Sequence, residues 1–380
     1  SFAARIFVDA GYEGDLLAQA GVSYAVGRES VTQYGECWAG RRPILPGQHN
    51  FAVPIPPFVD GNDGELLPLI HRRSMTAEGE GDGGIQAYCF RLCLTNRGEN
   101  RLPFSPPDDY DPRTFELLRR YLEQGAPTLT ARKLMSLVPN LPNGKCDVNS
   151  IGPLSTNVLD GSSWAYPEAD YGHRQEIWEH HLRYTQGLLY FLAHDGAVPE
   201  SIRNEMNSWG LCRDEFVDTN HWPHQLYVRE ARRMCGEYWM TQADLEHYRM
   251  KYDAIGMGSY NIDIREIQRV WVWVSRQHKM VGETFNEGYL SVPVEPYAIP
   301  YRSLVPRYQE CDNLLISVCV SASHVAFASI RMEPQYMLLG HAAGTAAALA
   351  AEAGGAVQQI NIVELQRRLL TQGQVLEIVP

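Results

Sequence analysis

The chain lacks several common signatures, and each gap removes a class of function. Its eight cysteines, at 37, 89, 93, 146, 212, 235, 311 and 319, form no Cys-x-x-Cys pair. That argues against a zinc ribbon or a thioredoxin-type site and leaves reduced, mostly buried thiols. No long Lys/Arg-rich run occurs and the formal net charge is −12, so a nucleic-acid partner is not expected. No His-Glu-x-x-His occurs; Asp170, His173, Glu179, His180 and His181 form no three-ligand pattern, and no metal is expected. "GMGSY" (256–260) is not a serine-nucleophile elbow. No signal peptide is visible, and the first residue is Ser1 rather than Met. The most apolar stretch, 334–351, has no Asp, Glu, Lys or Arg. It falls short of the ~20 strongly apolar residues of a membrane span and holds Gln335, His341 and Thr345. The expectation is a soluble chain, cytoplasmic rather than secreted, with no membrane partner.

What is present reads as a mixed α/β chain. With 380 residues, 44% of them hydrophobic, there is material for more than one core. "RIFVDAGYEGDLLAQAG" predicts a strand ending at Asp9, a turn at Gly11 and Gly14, and a short helix capped by Asp15 and stopped by Gly21. Residues 40–84 read as long loops. Within them "GEGDGG" (79–84) matches GxGxxG but lies between a non-strand and a strand, so it reads as a surface loop. Residues 85–95 read as a strand, 113–124 as a helix, 167–195 and 199–210 as helices, and a cap at Thr241 opens "TQADLEHYRM". "PHQLYVREARRMCGEYWMT" starts as a strand; 269–276, 299–306 and 313–320 are extended runs.

The carboxy-terminal part combines an apolar strand, a loop of small residues ("SASHVAFAS") and a helix opening at Glu333-Pro334. Backbone can approach a ligand closely there, and the positive end of the helix favours negative charge. Gly340, Ala343, Gly344 and Ala347 predict one smooth helix face. Close packing on a sheet explains that face as well as a ligand does.

"RIFVDAGYEGDLLAQAGVSYAVGRES", "HWPHQLYVREARRMCGEYWMT", "GMGSYNIDIREIQR" and the run from Ile299 to Ala350 together resemble the FAD-dependent oxidoreductase family whose members are often labelled xanthan lyases. The resemblance runs from about residue 5 to the carboxy terminus. It implies FAD contacts at Asp9, Gly11, Gly14 and Asp15, and again at Ser321, Ser323, Ser329, Arg331, Met332 and Glu333. The last helix would point its N-terminus at the flavin's pyrimidine edge. It implies a partial FAD-binding domain resembling the two-dinucleotide fold, built from 1–35 and 300–380. A large substrate or cap domain would span 36–299. Such proteins open with strand–GxGxxG–helix, and no such unit precedes residue 5. The expectation is an incomplete FAD site, to be completed by a partner chain or a missing amino-terminal segment. The implied activity is oxidation or reduction of a small organic substrate, a sugar or hydroxy acid. Two alternatives stand beside it: a truncated, cofactor-free, non-enzymatic chain, and a polysaccharide-cleaving enzyme with a Tyr or His base.

A flavin needs a proton carrier from the protein. His324, in the small-residue loop, is the first candidate, followed by His221 and His224 around "WP". "REARR" offers Arg229 and Arg233 to clamp a carboxylate or stabilise an anionic flavin; an internal network of Arg229, Arg232 and Arg233 with Glu230 is the plainer use. Asp263 and Arg265 are weaker candidates, because the family has a His where Arg265 stands.

Overall fold

The computed structural model describes residues 2–45, 47, 49–61, 63–125, 130–247 and 250–377. Helix accounts for 33% and strand for 19%, which makes the chain mixed α/β. The strands form small sheets rather than one large one. Phe7–Asp9 pairs in parallel with Leu314–Ile316, joining the two ends of the chain. The short helix Asp15–Gln19 and the long helix Glu333–Ala353 pack beside that pair. A four-stranded antiparallel sheet runs in the order Arg101–Leu102, Gly210–Cys212, Leu92–Thr95, Lys145–Val148. Gln268–Arg276 and Lys279–Glu287 make a nine-pair hairpin.

Two main cores hold these pieces. The larger draws on residues 51–231, where the helices Tyr171–His194 and Glu200–Asn207 cover the four-stranded sheet. The second draws on Ala39 and residues 240–376. Packing therefore groups 240–267 and 290–300 with the carboxy-terminal third, because Ala254–Gly258 pairs with Tyr297–Pro300 and lies against the long helix, while the hairpin leans on the larger core. A break at 299/300 does not coincide with a break between cores.

Several local expectations are corrected. Segment 324–330 is a helix, His324–Ile330, not a loop: the Ser323 hydroxyl accepts from Ala326 N (3.1 Å), and all seven residues are buried. Small residues without Gly or Pro turn helical once the end is capped. The strand expected over 85–95 is confined to Leu92–Thr95, since 86–89 bond to loops instead of a strand. The stretch 223–241 is largely irregular, with strand only at Arg233–Met234. Tyr301–Ser303, within the expected extended run 299–306, is a 3-10 turn. The helix at 241 covers Gln242–Glu246; residues 248–249 lie outside the described residues.

The smooth face of the long helix Glu333–Ala353 is also revised. Leu339, Ala342, Ala343, Ala346, Leu349 and Ala350 face the core, while a Cβ added at Gly340 or Gly344 would meet nothing within 4 Å. Two stripes at spacing three and four compete, and the one holding leucines wins because each buried Leu contributes about 1.5–3 kcal/mol. Among the described residues no helix is long and apolar enough to cross a membrane.

Candidate active site

The glycine turn after the first strand closes on itself. Asp9 is buried, and its carboxylate accepts from Gly11 N (2.9 Å) and from Leu17 N (2.9 Å). Asp9 is thus the acceptor at the start of the following helix. Asp15, expected to cap it, is its first residue, and the cap position belongs to Gly14. Gly14 has φ +68°, and a Cβ there would lie 3.2 Å from Cys319 Sγ. Asp15 turns outward onto two arginines, Arg174 (2.7 and 2.8 Å) and Arg232 (2.8 Å). Those hydrogen bonds, Arg174's foremost, hold its carboxyl below the usual range against the upward pull of burial.

Behind the turn lies a buried charged cluster. His324 is 1% exposed, and its Nδ1 sits 2.9 Å from both oxygens of Glu230. Burial would raise the Glu230 carboxyl, but His324 and Arg233 outweigh it and hold it low, so it is an acceptor. Nδ1 must then carry the hydrogen. His324 Nε2, on the other side of the ring, is buried and without a partner. Arg233, fully buried, donates to Glu29 Oε1 (2.7 Å), to Ala322 O (2.9 Å) and to Gly27 O, with its Nε 3.1 Å from Glu230. Glu29 also accepts from His324 N (2.8 Å). Of the network anticipated within "REARR", only Arg233 pairs with Glu230; Arg232 goes to Asp15 and Arg229 to the Ala87 backbone oxygen. The partner Glu29 and the nearby Glu36 are not legible in sequence, because nothing in "GRESVTQYGE" marks those carboxylates as buried. Glu36 accepts from Gln242 N (2.7 Å) and the Ser323 hydroxyl; burial raises its carboxyl, and one of its oxygens has no partner.

The third element is the start of the long helix. Met332 occupies the cap position without a side-chain hydrogen bond, and Pro334 lies in the first turn. Arg331, 3% exposed, reaches Asp263 through its backbone oxygen (2.8 Å) and carboxylate (3.0 Å), and the Tyr227 hydroxyl (3.4 Å). Its Nε is buried and unpartnered. Tyr12 meets Tyr336 of the first helical turn edge-on (5.8 Å), and Glu333 lies close enough to help raise the Tyr12 hydroxyl, after burial. Arg229 stacks over Tyr227 (4.9 Å) and donates to Ala87 O.

A model of a family described as FAD dependent oxidoreductase matches residues 1–369. The chain belongs to that family. No curated protein and no solved structure matches it.

Of the residues assigned to FAD by resemblance, Arg331, Met332 and Glu333 stand together around an uncapped helix start with an orphaned arginine nitrogen. That arrangement fits an electron-rich edge such as the flavin's pyrimidine ring. The serines are otherwise engaged. The Ser321 hydroxyl accepts from Gly236 N (3.0 Å), Ser323 caps its helix, and Ser329 bonds Tyr297 (2.6 Å) and Tyr260 O. The turn at Asp9, Gly11 and Gly14 does not fit a pyrophosphate, because two of its amides are taken by Asp9. The loop 79–84 does not fit one either. Gly27 and Gly81 bring it against the chain's own backbone, and Arg28 grips Asp82 (2.6 Å).

The structure separates the other histidines. His221, with φ +69°, bonds Glu215 O (3.1 Å) and lines a cavity with Pro103, Phe104 and Trp222. His224 is exposed on a different cavity, beside Glu13 and Trp178. Neither bonds His324. Arg265, within "NIDIRE", donates to Ser150 O (2.7 Å) and lies beside Glu266, whose carboxyl Arg265 and His49 lower to about 2 despite burial.

Proposed function

We propose that this FAD-dependent oxidoreductase oxidises or reduces a small organic substrate, with His324 as proton carrier. The observation that carries the reading is a pair of buried nitrogens without partners, His324 Nε2 and Arg331 Nε, on the segment that in the family meets the flavin. A buried unsatisfied nitrogen costs about 1–3 kcal/mol, which an incoming polar group of the matching kind would recover.

Bound FAD supplies two-electron redox chemistry. The chain's residues do the rest. Glu230 fixes the His324 ring, so the proton is taken up or returned at Nε2. Arg233 and Glu29 act as positioning residues, holding Glu230 and the His324 backbone. Arg331 and the free amides of the first helical turn, at Glu333 and Gln335, would hold the pyrimidine edge. Arg229 adds positive charge beside Tyr227, and His224 belongs to the substrate side. The cofactor side is built on 1–35 and 300–380 and the substrate side on 36–299, joined through the carboxy-terminal core.

The test is an absorption spectrum of the purified chain, after adding FAD and removing the excess. A retained flavin band is expected, with retention about tenfold weaker in Arg331→Met, the loss of one charge-assisted hydrogen bond. His324→Gln should keep the band and lose turnover. A colourless protein overturns the reading. The closed turn at Asp9 favours a second reading for that outcome: a chain that holds no FAD without another segment or partner to bind the pyrophosphate.

A further inference from the structure

The cavity carrying His224 has a chemistry distinct from the buried cluster. It measures about 500 Å³ and lies between one face of the helix Tyr171–His194 and the loop 219–226. Positions 171, 174, 175 and 178 of that helix line it, the spacing of a single helical stripe. The size falls in the range of roughly 300–1,000 Å³ usual for small-molecule sites.

Its arginine is already paired, and its carboxylate holds a hydroxyl. Arg174 is bidentate to Asp15 and also donates to Tyr166 O (3.0 Å), while Glu13 accepts from the Tyr166 hydroxyl (3.2 Å). What remains uncommitted is mostly neutral. Among the described residues the side chains of Asn220, His224 and Gln225 make no hydrogen bond, and the indole nitrogen of Trp178 is buried with no partner. Beside them stand the aromatic rings of Tyr166, Tyr171 and Trp178, Tyr171 being 75% exposed.

We propose that this cavity binds a neutral polyhydroxylated ligand, a mono- or disaccharide. A carboxylate or phosphate would need a free cation, and the wall arginine is already paired. A pyranose presents apolar C–H faces that pack on aromatic rings and hydroxyls that both donate and accept. Amides and an indole N–H match those hydroxyls. The cavity adjoins the proposed flavin end through the chain itself: Glu13 on its wall follows Tyr12, which packs on Tyr336 at the start of the long helix. The inference names the substrate class of the proposed oxidation and rests on that reading for turnover, though not for binding.

The test uses the full purified chain with no flavin added. D-glucose, D-galactose and cellobiose are titrated by calorimetry and tryptophan fluorescence, with gluconate and succinate as anionic counterparts. Saturable binding of a neutral sugar is expected with Kd of order millimolar. Asn220→Gly, tolerated because Asn220 has φ +55°, should weaken it about fivefold, and Gln225→Ala likewise, each removing one neutral hydrogen bond. Trp178→Phe keeps a ring but loses the N–H and should weaken it similarly, with unchanged melting temperature. The proposal is overturned if no neutral sugar binds saturably, if the anions bind instead, or if binding is indifferent to all three substitutions. Flavin retention is read separately. Flavin held without sugar binding overturns this inference alone, and sugar bound by a protein that keeps no flavin supports the cavity and overturns the oxidation.

Discussion

Two strand-to-helix passages in this protein look alike in sequence and differ in what they leave available. Both combine an apolar strand, small residues and a helix with an acidic residue in its first turn, the second with the short helix His324–Ile330 in between. At Asp9–Leu17 the chain supplies its own anion: Asp9 accepts from two backbone amides, and the helix start is satisfied. At Met332–Tyr336 no side chain caps the helix, and the neighbouring Arg331 keeps a buried nitrogen without a partner. A helix start closed by its own carboxylate offers little to a cofactor, while an open one beside an arginine whose Nε is unpartnered offers more. The second passage, whose helix opening at Glu333-Pro334 the sequence already marks, is therefore the better fit to the flavin contact proposed above.

The largest expected effect comes from reopening the closed turn. Asp9→Ala strands two amides, one of them in a buried hydrogen bond, and should cost about 3 kcal/mol, read by urea denaturation. If the loss is small, the turn is not self-contained and its amides remain open to a phosphate.

Glu36 tests the buried cluster between the two passages. Burial raises its folded-state carboxyl above the ordinary 4.5. A raised value means the folded protein holds the proton more tightly. The stabilisation is complete below the unfolded value and is lost as pH rises through the folded one. Glu36→Gln keeps an acceptor for Gln242 N and carries no charge. Its stability relative to wild type should climb across that window and then level off. A flat difference against pH would contradict the assignment.

Closing the open passage is a smaller change. Met332→Ser places a capping hydroxyl at the helix start and should stabilise by about 1 kcal/mol, while lowering FAD retention. A stability gain with undiminished retention would separate the helix start from the cofactor. The smallest effect belongs to the outer face of the same helix. Gly340→Ala and Gly344→Ala point into open space and should each stabilise by about 0.5–1 kcal/mol, the ordinary helix preference for Ala. Destabilisation would restore the smooth-face packing first expected of these glycines.

Much of the fold was legible before the structure. The first strand ending at Asp9, the helices at 116–125 and 171–194, and the strand 268–276 follow from periodicity, caps and β-rich composition over stretches long enough to signal. The family was legible in long motifs, and its model spans nearly the whole chain. The site was less so. His324 was singled out, but its partner Glu230 stands 94 positions away, and no local pattern shows that Glu29 and Glu36 are buried beside it. Asp15 was taken for the cap because it is adjacent in sequence, whereas Asp9 reaches the same helix from across the turn.

By itself the sequence determined the longer elements, the FAD-dependent oxidoreductase family and a short set of polar candidates, since these rest on composition and on residues near one another in the chain. The tertiary structure alone decided which candidates are committed and which are free. A hydrogen bond is satisfied or orphaned only once both ends are placed. The partners here — Asp9 with Leu17, Glu230 with His324, Asp15 with Arg174 and Arg232 — meet across distances along the chain that no local rule spans.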